Sequence, residues 1–411
     1  MSNKLLHCIF ILLFAVISVV LTMGRVGTSF NSFALLTGDL AVYTSLAVAQ
    51  EEPELFANDP FLSNEKNTNS YSMIFFPMLK AVENFLGNYG AACIFLLPFF
   101  IFIHFVGFYL LGVSIFKNPW AGLYTSLLIS APISTYYDFW GIILDALPRF
   151  LYQGLIPFLM ALSIVRGRDP KWWPAILGGL GLLNYVHPVS TPVWAIAMSF
   201  ALWMSADNST TTIKIRWMGL AIAILVVILT PFLAVYFGST INEASQVANY
   251  DQVIVALQER FFTMRADGLH GVVLNFFTSN MEFIHNFTWY LMCALATAGV
   301  AFGLRLPKSV ELHSHMRHIT AWMVGVFLGG AVIPVVEQYV FAYLKQIPPE
   351  FELVRTLRYI IPLILLAAFS FLWMMKEKLQ YRQGINLNLL RTFFGVLTAV
   401  LLVAWGIRGG C

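Results

Sequence analysis

Charged residues are scarce in this chain: they make up 11% of its 411 residues, whereas apolar residues make up 59%. Soluble domains carry about 25% charged residues, so this chain lacks the charge to cover a surface that faces water. Its net charge of +3 is small, and no basic patch is interleaved with aromatic residues. The composition therefore argues against a soluble protein, and it predicts no nucleic-acid partner.

Cysteines and catalytic motifs are also scarce. The four cysteines are scattered and form no Cys-x-x-Cys pair, so the sequence predicts neither a disulfide framework nor a cysteine metal site. They are Cys8, Cys93, Cys293 and Cys411. The chain has no P-loop, no GxSxG nucleophile motif and no HExxH zinc motif, so no common catalytic motif points to a reaction.

Long apolar runs are abundant, and the sequence predicts an all-α polytopic bundle with residues 1–411 as one integral membrane domain. A run of about 20 apolar residues can cross the hydrocarbon core, where a helix satisfies its own backbone groups. Eleven spans are predicted, at residues 5–23, 91–116, 119–137, 150–165, 172–187, 189–205, 217–237, 286–304, 318–344, 357–375 and 390–407. The first is interpreted as an uncleaved anchor, because its apolar run is longer than that of a signal peptide.

Basic residues dominate one set of predicted connections and acidic residues the other. The positive-inside rule then predicts a cytoplasmic amino terminus. Two long loops face outward, residues 24–90 and 238–285. Helices are predicted in the first loop over Asp39 to Gln50 and Tyr71 to Leu86, the latter amphipathic and lying at the membrane surface. A surface helix is also predicted in the second loop.

The first external loop is where carboxylates gather, and Asp39 and Asp59 are its candidate catalytic residues. Asp39 begins a predicted helix, so it is either an N-cap or a general base or metal ligand at the membrane surface. Asp59 lies in an Asn-Asp-Pro turn and has the same catalytic alternative to a turn role.

Asp138 and Arg149 are candidate substrate-binding residues at the external ends of two predicted spans. A carboxylate among aromatic residues at a membrane boundary is costly unless it is paired. The two residues are therefore predicted either to form a structural ion pair or to contact an anionic substrate.

His187 is followed by Pro188 at the external end of a predicted span, where the two short spans are expected to form a hairpin. Non-helical backbone at membrane depth is tolerated where it is buried in protein or lines a cavity. His187 is thus either a hydrogen-bonding residue at a helix end or a catalytic residue.

Arg355 and Arg358 are separated by one helical turn and precede a late span on the external side. Two neighbouring guanidinium groups suit a phosphate or pyrophosphate, and snorkelling to lipid headgroups is the alternative.

Two deeper residues complete the candidates. Glu337 is interpreted as either a helix-packing or a catalytic carboxylate, and His104 as a buried, hydrogen-bonded histidine.

An external carboxylate after the first span, a long first loop with surface helices and the Arg355-x-x-Arg358-Tyr359 motif occur together. This arrangement resembles the GT-C superfamily of polytopic glycosyltransferases, and Tyr136–Gly141, Pro148–Gln153 and Tyr185–Pro188 resemble segments of uncharacterised bacterial members. The resemblance implies sugar transfer from a polyprenyl-phosphate donor at the outer face of the cell (inner) membrane. It implies Asp39, then Asp59, as the catalytic carboxylate, Arg355 and Arg358 as phosphate ligands, and His187 as an active-site residue.

Three functions remain open at this point. A GT-C-like transferase would use its external carboxylate with or without a divalent metal ion as cofactor, in contact with the lipid bilayer and a polyprenyl-phosphate-linked sugar. A transporter or flippase of a lipid-linked or anionic substrate would place polar residues along a path through the spans. A non-catalytic membrane subunit would bind protein partners.

Overall fold

The protein is described from a computed structural model, in which the described residues are 3–27, 38–59, 62–63, 73–134, 139–206, 209–244, 269–272, 283–306, 311–344 and 353–383. The predicted span 390–407 and most of the loop 238–285 lie outside these ranges. So does Asp138.

The described residues form an almost entirely α-helical bundle. Its helices are α1 (Asn3–Val26), α2 (Asp39–Glu51), α3 (Phe75–Leu86), α4 (Tyr89–Phe116), α5 (Pro119–Ile129), α6 (Pro148–Arg166), α7 (Trp173–Leu183), α8 (Thr191–Ser205), α9 (Thr211–Ala244), α10 (Phe283–Arg305), α11 (Glu311–Phe327), α12 (Ile333–Leu344) and α13 (Ile360–Gln383). A π-helical turn, Leu328–Val332, joins α11 to α12, and a 3₁₀ helix, Leu353–Tyr359, leads into α13. The all-α prediction is confirmed for this part of the chain.

Six described segments are long and apolar enough to cross a membrane. They are Asn3–Val26, Tyr89–Phe116, Pro148–Arg166, Thr211–Val235, Glu311–Glu337 and Leu353–Lys376. A shorter apolar segment, Trp289–Arg305, lies in α10. The chain is therefore a helical, multi-pass membrane protein, and each of these segments overlaps a predicted span.

Three other predicted spans are shorter helices in the structure. The helix predicted over 119–137 ends at Ile129, and α7 and α8 have 11 and 15 residues. Prolines explain the breaks, because Pro132 and Pro188 cannot continue a helical hydrogen-bond ladder. The hairpin predicted at His187 and Pro188 is present as the turn between α7 and α8.

A small β-hairpin follows α5 and returns the chain to the bundle. Strand β1 (Ile133–Ser134) pairs antiparallel with β2 (Phe139–Trp140). The fully buried Trp140 donates its indole N–H to the carbonyl of Ile129 at 2.9 Å. Gly141 adopts φ +110°, and a Cβ there would lie 2.5 Å from the oxygen of Ala131, so only glycine fits. The chain then continues from this hairpin to the start of α6, which carries Arg149.

The loop predicted at residues 24–90 contains both predicted helices, although α3 begins at Phe75 and not at the predicted Tyr71. α2 matches the predicted helix to within one residue, and α3 ends where Gly87 takes a left-handed conformation, φ +82°. The ammonium of Lys80 on α3 lies 2.8 Å from the carboxylate of Glu51 on α2. This contact lowers the pKa of Glu51 below its ordinary value of 4.5 and links the two helices. The predicted apolar face of α3 is only partly buried, since Phe85 is 85% exposed.

Helices approach most closely at small residues. A Cβ on Gly325 of α11 would lie 2.3 Å from the Cα of Ala197 on α8, and one on Gly107 of α4 would lie 2.5 Å from the carbonyl oxygen of Gly154 on α6. Small residues at such crossings let backbones make the dense contacts that hold membrane helices together.

We expect Gly325→Ala to destabilise the fold by about 1–3 kcal/mol, because the new methyl group meets backbone that cannot rotate away. The matched control is Gly219→Ala on α9, where a Cβ would meet nothing within 4 Å. In the control the better helix propensity of alanine should be neutral or stabilising. The free energy of unfolding in mixed micelles measures both, and equal values for the two variants would contradict the close crossing.

Candidate active site at one end of the bundle

Several elements meet at one end of the bundle, which we call the site end. They are the end of α1, the start of α2, the start of α6, the turn between α7 and α8, and the 3₁₀ helix Leu353–Tyr359. Two ion pairs join the loop predicted at residues 24–90 to the chain around α6. Arg25 lies 3.1 Å from Asp145, and Arg149 lies 3.3 Å from Asp39.

Asp39 is the first residue of α2 and Gly38 is the N-cap, so the predicted N-cap role of Asp39 is wrong by one position. In the first turn its negative charge still faces the positive end of the helix dipole. The side chain of Asp39 is 56% exposed, whereas that of Arg149 is 19% exposed. The carboxylate is therefore accessible to a ligand while it contacts a largely buried cation.

His187 is held by a buried hydrogen-bonded chain that runs to the 3₁₀ helix. Its Nδ1 lies 2.9 Å from the hydroxyl of Ser190, which lies 2.6 Å from the hydroxyl of Tyr359. Ser190 and Tyr359 are fully buried, and the ring of Tyr359 contacts those of Trp140, Tyr152 and Trp194. This network fixes the position of the imidazole and ties the α7–α8 turn to the segment that carries the arginines.

Arg355 and Arg358 lie on the 3₁₀ helix, where residues three apart lie directly above one another. Arg358 is 3% exposed and its guanidinium lies 5.5 Å from the ring centre of Tyr359. Arg355 is half-buried. The 3₁₀ helix packs against the π-helical turn at Gly330, where a Cβ would lie 3.0 Å from the Thr356 hydroxyl.

Three arginines influence His187, which lies in a turn outside the six spanning segments. Burial lowers the pKa of His187 well below its ordinary value of 6.5, and the positive charges of Arg358, Arg149 and Arg355 lower it further. The imidazole is therefore neutral at physiological pH. All three guanidinium groups thus act electrostatically on the same histidine, and the 3₁₀ helix that carries Arg355 and Arg358 is joined to His187 through Ser190 and Tyr359. This end of the bundle is therefore a cationic site that contains a neutral hydrogen-bonding group.

We expect the stability of the protein to fall as the pH drops below 6.5. There the unfolded state binds a proton at His187 and the folded state does not, so stability rises with pH by at most about 1.4 kcal/mol per unit. His187→Gln should reduce this slope below pH 6.5, measured as the free energy of unfolding. The control is His270→Gln at an exposed position. An unchanged slope in the His187 variant would refute the buried neutral imidazole.

The remaining candidates lie elsewhere. Asp59 lies in an exposed turn, where its carboxylate accepts a hydrogen bond from the backbone N–H of Leu62 at 3.0 Å, as the turn interpretation predicted. Glu337 is half-buried in α12. His104 is fully buried between aromatic rings, and its ring nitrogens have no hydrogen-bond partner among the described residues. The predicted hydrogen bond of His104 is therefore wrong within that part of the chain.

Sequence reasoning missed the partners that organise the site. Ser190 and Tyr359 are uncharged, and nothing in a single sequence distinguishes them from other buried hydroxyl groups. Arg25 and Asp145 are 120 residues apart, and their ion pair follows only from packing. Within the described ranges, no three His, Cys, Asp or Glu side chains come together as a metal site.

These features define a helical, multi-pass membrane protein with a cationic site at one end of its bundle. No model of a known protein family matches the sequence, and no curated protein matches it. Function therefore has to be argued from the site itself.

Proposed function

We propose that this chain is a GT-C-like glycosyltransferase that moves a sugar from a polyprenyl-phosphate-type lipid donor to an acceptor on the non-cytoplasmic face of the membrane. The observation that carries the proposal is geometric: Arg149 contacts the exposed Asp39, and the 3₁₀ helix that carries Arg355 and Arg358 is hydrogen-bonded through Tyr359 and Ser190 to His187. A cationic site with an accessible carboxylate suits a reaction that releases a phosphate group and removes a proton.

In this proposal the arginines stabilise the negative charge of the leaving phosphate. As the bond between the anomeric carbon and the phosphate oxygen breaks, its electron pair stays with the leaving phosphate. Guanidinium groups fixed before the reaction stabilise that charge, and they do so more strongly in a site of low polarity than in water. Arg358 is the most buried of the three and is the expected main contact.

In this proposal Asp39 is the general base that takes the proton of the acceptor hydroxyl. When the acceptor oxygen attacks the anomeric carbon, its O–H bond must break, and a carboxylate within hydrogen-bond reach can take the proton. His187 is neutral and can hydrogen-bond the donor without adding charge. A divalent metal ion, if the reaction uses one, would assist at the same carboxylate.

The distribution of bases supports the proposed orientation. The opposite end of the bundle, which we call the basic end, carries the cations at the ends of α4, α6 and α10 and the start of α9. They include Lys117, Arg166, Arg168, Lys171, Lys214, Arg216 and Arg305. Bases favour the cytoplasmic side, so the site end would face outward, where a lipid-linked sugar donor would be used.

The test is turnover in proteoliposomes that contain polyprenyl-phosphate sugars of several types. We expect the wild-type protein to release polyprenyl phosphate from at least one donor, detected by chromatography of the lipid, and to transfer the sugar to an added acceptor. Protein-dependent movement of an intact donor across the bilayer, without release of polyprenyl phosphate, would contradict the transferase.

A transporter is the second candidate, favoured by the broken helices. The α7–α8 turn and the π-helical turn Leu328–Val332 interrupt helical segments, and interrupted helices form substrate sites in many transporters. The same proteoliposomes distinguish the two functions, because a transporter moves the donor and leaves its phosphate–sugar bond intact.

A further inference from the structure

A second candidate site lies far from His187, at the basic end of the bundle. A cavity of about 380 Å³ lies between α8, α10 and α11. Its lining is Phe200, Met204, Leu304, His313, Arg317, Thr320 and Ala321. Its volume is in the range of small-molecule sites in proteins.

The apolar wall of the cavity is open to the surface of the bundle. Phe200, Met204 and Leu304 are 39%, 36% and 40% exposed. All three lie near the basic ends of their helices, a position that the outer part of the hydrocarbon layer would surround. An apolar wall at that depth is suited to an acyl chain.

The polar part of the cavity is positioned by backbone contacts. The Arg317 guanidinium donates a hydrogen bond to the carbonyl of Met204 at 2.7 Å. The His313 Nδ1–H donates to the carbonyl of Gly303 at 3.2 Å. These bonds hold a guanidinium and an imidazole next to the apolar wall, so a ligand can meet both kinds of surface at once.

Among the described residues, the charges beside the cavity are mostly positive. Arg305 follows Leu304 directly, and the Arg168 guanidinium donates to the hydroxyl of Ser314, beside His313. The neighbouring carboxylate, Glu311, lies 3.4 Å from the ammonium of Lys117 and 3.6 Å from His315. The negative charge of Glu311 is thus partly offset by Lys117, and the cavity favours an anion.

We infer that this cavity binds one anionic glycerophospholipid of the same membrane leaflet. Its phosphate would lie at Arg317 and His313, and an acyl chain would lie along Phe200, Met204 and Leu304. Basic pockets between membrane helices recognise anionic headgroups in this way. The inference does not depend on the proposed transferase, because it concerns the other end of the bundle.

Native mass spectrometry of the full-length protein, released from nanodiscs with equal phosphatidylglycerol and phosphatidylcholine, tests the inference. We expect the wild-type protein to retain phosphatidylglycerol in preference to phosphatidylcholine. Arg317→Gln should lower retained phosphatidylglycerol about fivefold, and Arg317→Lys should keep most of it. The matched control is Arg216→Gln, which removes the same charge from an exposed position at the same end and should change nothing.

Each outcome decides the matter. Equal retention of the two lipids by the wild-type protein would overturn the inference, as would equal losses in the Arg317 and Arg216 variants. Displacement of the lipid by inorganic phosphate alone would show an anion site rather than a lipid site. If Arg317→Gln does not fold, His313→Gln and the effect of salt on the wild-type preference still decide, because charge recognition at a surface weakens as salt screens it.

Discussion

Arg358→Gln is expected to lower sugar transfer at least about a hundredfold, the usual cost of removing a fixed group that stabilises charge in a transition state. Arg358 is 3% exposed and lies on the 3₁₀ helix beside Tyr359, so its position is set by the surrounding packing. The measurement is the rate of polyprenyl phosphate release in proteoliposomes at saturating donor.

Two further variants make this result interpretable. Arg358→Lys keeps the positive charge but loses the planar guanidinium. It should therefore fold normally and keep only part of the rate of polyprenyl phosphate release. Arg355→Gln, at a half-buried position on the same helix, should cost less. A folded Arg358→Gln protein with wild-type turnover would remove this residue from the reaction.

Asp39→Asn is expected to abolish detectable transfer while expression stays normal. General-base catalysis contributes about a hundredfold to ten-thousandfold, and an amide cannot take the proton. Asp39 is itself 56% exposed, but the substitution removes a charged contact of Arg149, which is 19% exposed, so the free energy of unfolding of the variant is measured beside its turnover. The variant is assayed in the same proteoliposomes, with Asp59→Asn as the matched carboxylate control.

The ion pair with Arg149 gives a second way for Asp39 to act. If Asp39 only positions Arg149, Asp39→Asn should weaken donor binding and leave the maximal rate nearly unchanged. A base role predicts the opposite, a lower maximal rate with little change in donor concentration at half-maximal rate. Unchanged activity of Asp39→Asn together with loss in Asp59→Asn would transfer the role to Asp59.

Much of the fold follows from local composition. The six spanning segments are continuous apolar runs, and α2 begins at the predicted residue because helix signals are local. The lengths of α5 and α7 were missed, because an apolar run continues through Pro132 and Pro188 while the helix does not. Apolarity indicates where a chain can lie in lipid, but the ends of a helix depend on its backbone hydrogen bonds.

The candidate site was predictable only as a set of scarce ionic residues. Asp39, Arg149, His187, Arg355 and Arg358 stood out because charge is costly in an apolar chain. The residues that they contact did not stand out in the sequence. The contact of Arg149 with Asp39 joins residues 110 positions apart, and the Ser190–Tyr359 hydrogen bond joins residues separated by 169 positions, so both require the tertiary structure.

Binding of polyprenyl phosphate, compared with the uncharged polyprenol, tests the central claim most directly. We expect the wild-type protein in nanodiscs to prefer polyprenyl phosphate by at least about tenfold in Kd, as charge-assisted hydrogen bonds to a phosphate would give. Separate Arg149→Gln and Arg358→Gln substitutions should each reduce that preference, and Arg216→Gln at the basic end should not. Equal affinity for the two lipids, or a preference unchanged in both site variants, would contradict an anion-binding site around His187.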